Sequence, residues 1–176
     1  TDTEWPVSFN PFRGIAPELR HIAAQGFVEI IEHQLKNQWS HRIEHVLRMA
    51  ILALLDYPDA TLQGIGSLLT DPAYRGEVIL SIKDDMVRQF FENEFDEWIS
   101  KFETDAVMPI VNAMARFLAI PALCNIFIQK EYSIDLNDLI SRRSIILVNL
   151  AKADIGEQNA QFLGSLIMSA MRYAGI

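Results

Sequence analysis

Residues 145–150 read Ile-Ile-Leu-Val-Asn-Leu. A run this short, this apolar and this rich in β-branched side chains predicts a strand buried on both faces, as in a parallel sheet. A loop from Ala151 to Gly156 follows, and then a segment with Leu163, Leu166, Ile167 and Ala170 at helical spacing. Together they make a β–α unit of the doubly wound kind. One strand can neither pair its own backbone groups nor bury both of its faces. The rest of the chain offers almost no second strand, so the expectation is a piece of a larger α/β domain. The ends suggest the same: the chain starts on Thr1 without an initiator Met, and "MSAMRYAGI" stops as a helical pattern ends.

Before about residue 132 the patterning is helical. Residues 5–12, WPVSFNPF, read as an extended lead-in, with Asn10-Pro11 as a turn signal. Pro17 and Glu18 suit the first turn of a helix over about 17–36. Ser40 is an N-cap for a second helix, which Asp56-Tyr57-Pro58 ends. Residues 59–80 read as short helices, with Thr61 and then Asp71-Pro72 as caps. From 83 to 102, Met86 or Val87, Phe90, Phe91, Phe95, Trp98 and Phe102 form an aromatic stripe at helical spacing, which is core patterning. A further helix is predicted over about 105–119 and a shorter one after Pro121.

Composition narrows the functional classes. Half of the 176 residues are hydrophobic, enough for a sizeable core, and 15 Lys and Arg face 23 Asp and Glu for a net charge of −8. A free-standing nucleic-acid binder normally presents a basic face. The single cysteine, Cys124, cannot form an internal disulfide or a thiolate metal site and sits in an apolar stretch. Arg48 interrupts one apolar run (46–55). Asn112, Arg116, Pro121 and Asn125 interrupt the other (110–128), so neither reads as a membrane span. The N-terminus has no signal-peptide pattern. The segment is therefore expected to make no membrane contact and to be cytoplasmic.

One short pattern suggests chemistry. His41-Arg42-Ile43-Glu44-His45 is H-x-x-E-H, the spacing of inverted-motif zinc peptidases: two histidines four apart on a helix, beside a glutamate able to activate a metal-bound water. His33 is a third ligand in principle. The helical projection opposes this reading. Ile43, Leu47, Ala50 and Leu54 mark the apolar centre of the helix, and His41 and His45 fall on the opposite side with Arg48. Cations at Arg42 and Arg48 also disfavour a metal ion. The expectation is a solvated or partner-facing surface, with the zinc peptidase and a free-standing helical interaction module as the alternatives. No phosphate-cradling G-x-x-x-x-G-K-[ST] loop occurs, nor an apolar strand ending in Asp-Glu.

Several stretches, in order, match a larger pattern: "FNPF" (9–12), Trp39-Ser40, "RIEHVLRMAILALLDYPDATLQGIGSLLTDPAYR" (42–75), "FFENEFDEW" (90–98), "PIVNAMARFLAIPALCNIF" (109–127) and "SIDLNDLISRRSIILVNLAKADIGEQNAQFLGSLIM" (133–168). They resemble the middle of the ATPase domain in FtsK–HerA superfamily motors, closest to the coupling-protein-like ATPases of type IV secretion and conjugation. The resemblance implies a mainly α chain, a helical domain inserted into a RecA-like α/β core. Residues 1–12 would lead in, 13–131 would be the inserted domain, and 132–176 would be one β–α unit of the core. It also implies a ring oligomer that hydrolyses ATP with Mg to move DNA, with DNA and secretion or DNA-processing proteins as partners. Arg42, Glu44, Leu47 and Arg48 match R-x-E-x-x-L-R, and Arg42, Glu44 and Arg48 become partner-facing candidates. Asn149, Leu150, Lys152 and Gly156 match the strand-end pattern. Loops at the carboxyl ends of strands face ligands, so Asn149, Lys152 and Gly156, with Arg142 and Arg143, become candidates for a nucleotide or a subunit interface. Both nucleotide motifs lie outside this stretch in the family, so no cofactor and no ATP hydrolysis are expected of these residues alone.

Overall fold

The computed structural model describes residues 7–129 and 134–174. They form a mainly helical body: α1 (Arg20–Leu35), α2 (His41–Asp56), α3 (Gly64–Thr70), α4 (Pro72–Ile79), α5 (Asp85–Gln89), α6 (Phe95–Phe102), α7 (Met108–Leu118), α8 (Pro121–Phe127), α9 (Leu136–Ser141), α10 (Lys152–Ile155) and α11 (Glu157–Tyr173). The expected boundaries of the first two helices hold closely. A single 3₁₀ turn, Pro17–Leu19, precedes α1. The Ser40 hydroxyl accepts from the Ile43 N–H, as an N-cap should. Asp71, Asp84 and Asp135 cap α4, α5 and α9 in the same way. Thr61 does not cap. Its carbonyl accepts from the Gly64 N–H in a turn, and α3 starts only there.

From Asp85 to Leu118 the backbone is helical throughout, so the two helices expected at 83–102 and 105–119 are one continuous element. It contains two wide π-helical turns, Phe90–Glu94 and Glu103–Val107. The first shifts the helical register so that Phe90, Phe91 and Phe95 all turn inward, with ring centroids 5.1 to 5.8 Å apart. The second precedes Pro109, which has no N–H to donate and would crowd the carbonyl four residues back in a regular α-turn.

The core centres on α2, which is buried on every side from Met49 to Leu55. This explains why no charged residue occurs from Met49 to Leu55. Helix α1 packs along α2, and α3, α5 and α7 also contact it. Asn10, the sequence's turn signal, is almost fully buried: its amide donates to the Ala60 carbonyl at 2.7 Å, and its Oδ1 accepts from the Phe12 N–H. Helix α11 lies on α1, where the Tyr173 hydroxyl donates to the Ile22 carbonyl, and its Phe162 meets Phe117 edge-on at 4.2 Å. Residues on both sides of position 132 thus share one apolar core. Position 132 itself lies outside the described residues, as do residues 5 and 6 of the expected lead-in.

The predicted strand at 145–150 is the main correction. No strand occurs among the described residues, and this run forms neither helix nor ladder. Ile145 and Leu147 are each 91 % exposed, and Val148 is half exposed. The reason is the one that made the run informative. A strand exists only by pairing, and these residues have no partner within the described chain. No single helix among the described residues is long and apolar enough to cross a membrane.

Candidate functional site

The charged face of α2 is not the bare surface that its projection suggests. The Arg42 guanidinium lies 4.2 Å above the Phe102 ring and 3.7 Å from the Asp105 carboxylate. His45 meets Phe90 edge-on at 5.1 Å and Trp98 at 6.2 Å. The α5–α7 element therefore folds back over the first two turns of α2. Its half-buried aromatics, Trp98 and Phe102, meet the His45 imidazole and the Arg42 guanidinium. One turn on, Arg48 donates to Glu44 at 2.8 Å, and fully exposed His41 lies 3.8 Å from the other Glu44 oxygen. Of the three partner-facing candidates, Arg42 is held by the chain itself, while Glu44 and Arg48 hold each other.

The same geometry bears on H-x-x-E-H. His41 projects into solvent beside Glu44, whereas the His45 ring is held against two aromatic rings. His33 lines a groove between α1 and α11. Among the described residues, no group of three or more His, Cys, Asp or Glu side chains is placed to hold a metal ion.

The second set of candidates flanks the unpaired run. Arg142, at the end of α9, donates to Asp138 at 2.8 Å. Arg143 is exposed and left-handed, with φ 54°, so the chain reverses there on leaving the helix. At the far end the Asn149 side chain accepts from the Ala151 N–H at 3.0 Å, and Ala151 is also left-handed at φ 46°. This side-chain turn stops the extended run. Lys152 pairs with Glu157 at 2.9 Å across the short α10. Gly156, at φ 81°, takes a conformation that suits glycine and opens α11. Asn149, Lys152 and Gly156 thus form one compact corner at the start of α11, with the lysine paired to its own carboxylate.

Beside that corner lies an apolar cleft of about 250 Å³. Val7 and Phe9, at the start of the described chain, line it together with Ile146, Leu147, Val148 and Asn149. Ala122 and Ile126 of α8, Leu136 and Leu139 of α9, and Leu163 and Ile167 of α11 also line it. The Phe9 N–H donates to the Ile126 carbonyl at 3.1 Å, which fixes the lead-in at this spot. The start of the described chain and the run at 146–149 therefore line one cleft.

Sequence reading missed a polar clamp beneath α1 and α2. Arg20 pairs with Asp56, whose other oxygen accepts from the Lys83 N–H at 2.7 Å. Asp56 stood out only as part of a helix stop. No periodicity links positions 36 and 27 residues apart. No family model, no curated protein and no solved structure matches this chain.

Proposed function

We propose that this chain is part of a DNA-translocating motor ATPase of the conjugative or type IV secretion kind. In this reading residues 13–131 are the helical insertion, and 132–176 begin the return to a RecA-like α/β core. The helical body serves contacts between subunits of a ring, the passage of DNA into it, or the docking of secretion and DNA-processing proteins. Such a motor works in the cytoplasm or at the cytoplasmic face of the inner membrane. One observation carries the reading: Val7 and Phe9 line the same cleft as Ile146 to Asn149. An inserted domain must leave its host sheet and rejoin it at one place. In this reading that cleft is where the helical body meets its host, and the apolar run at 145–150, which has no ladder partner among the described residues, is the segment that returns to the sheet. A net charge of −8 suits docking of proteins better than gripping of duplex phosphates.

ATP and Mg would be held by other parts of the motor. The chain has no phosphate-cradling loop, and Lys152 is paired with Glu157. The test is ATP turnover, measured on these 176 residues and on a longer gene product that adds flanking sequence to them. We expect turnover by the longer protein and none by this chain. ATP hydrolysis by this chain alone, or a longer protein with no P-loop and no nucleotide binding, would overturn the proposal.

A further inference from the structure

We draw no further inference here: the strongest candidate, the exposed apolar run at 145–150 beside the cleft that Val7 and Phe9 line, belongs to the site already described, and nothing in the structure shows what covers it.

Discussion

At the scale of single residues, two tyrosines show how close contacts convert into measurable energies. Tyr74 meets Tyr57 edge-on at 5.7 Å, and the Tyr57 hydroxyl donates to Glu77. Burial pushes the Tyr74 phenol up to about 12, and the negative charge that develops on Tyr57, Asp59 and Glu77 adds to the shift. The neutral phenol is therefore favoured by folding. Its contribution is fully present below the unfolded value of about 10 and is lost as pH rises through about 12. Melting curves of the wild type and of Tyr74→Phe should run at a constant separation up to about pH 10. Above it, the wild type should lose ground to the variant. A separation that stays constant through the alkaline range would show that the phenol titrates normally.

Gly26 and Tyr173 form the second case. A Cβ on Gly26 would lie 2.8 Å from the Tyr173 hydroxyl and 3.3 Å from the Ser169 hydroxyl. The glycine therefore permits the close approach of α1 and α11 and the hydrogen bond to Ile22. Gly26→Ala alone sets a helix-propensity gain of up to ~1 kcal/mol against a displaced hydrogen bond costing ~1–3 kcal/mol. We expect a net loss in the wild type and a gain in the Tyr173→Phe background. That difference should appear as a coupling of roughly 1–2 kcal/mol in urea denaturation. Equal effects in the two backgrounds would mean that the hydroxyl is not what the glycine makes room for.

At the scale of elements, the Arg20–Asp56–Lys83 clamp ties the start of α1 to the end of α2 and to the turn before α5. Asp56 is almost wholly buried, and the Arg20 Nε is enclosed without a partner. Asp56→Ala leaves an uncompensated guanidinium and should cost about 3 kcal/mol. Replacing both partners with apolar residues, as in Arg20→Met with Asp56→Leu, should cost less than the single change, because no charge is stranded. Chemical denaturation of the wild type and of these two variants decides the matter. A double variant weaker than Asp56→Ala would place the stabilisation in the ion pair itself.

The sequence marks elements well where the signal is local. Ser40, Asp71-Pro72 and the apolar stripe of α2 locate their helices because a cap or a 3.6-residue repeat needs only its neighbours. The π-helical turns were hidden, since a stripe of Phe90, Phe91 and Phe95 fits an α-helical reading until their mutual packing selects a wider turn. The cover over His45 and Arg42 was hidden for a related reason. A helical projection identifies the face opposite the main core but not a second element that returns to it. The cleft joining residues 7–9 to 146–149 is contact across the whole chain, and no motif records it.

At the scale of the whole molecule, the body is well packed and one short run is not. Met49 to Leu55 are enclosed by neighbouring helices, and their amides are bonded within α2. In the run at 145–150, Ile145 and Leu147 stand in solvent, and no residue of the run has a ladder partner among the described residues. Amide hydrogen exchange reads this contrast directly, because protection follows the free energy of opening each bond. In this chain alone, the amides of Ile145 to Leu150 should exchange at nearly unprotected rates, while those in the middle of α2 should exchange only through global unfolding. In a longer protein that supplies neighbouring strands, the same six amides should become as slow as the core. That change in protection would report the pairing that an apolar, β-branched run demands. Fast exchange persisting in the longer protein would mean that the run is a loop in its native setting, and the α/β part of the motor reading would fall with it. Slow exchange already present in this chain would instead mean that the run finds a partner within these 176 residues.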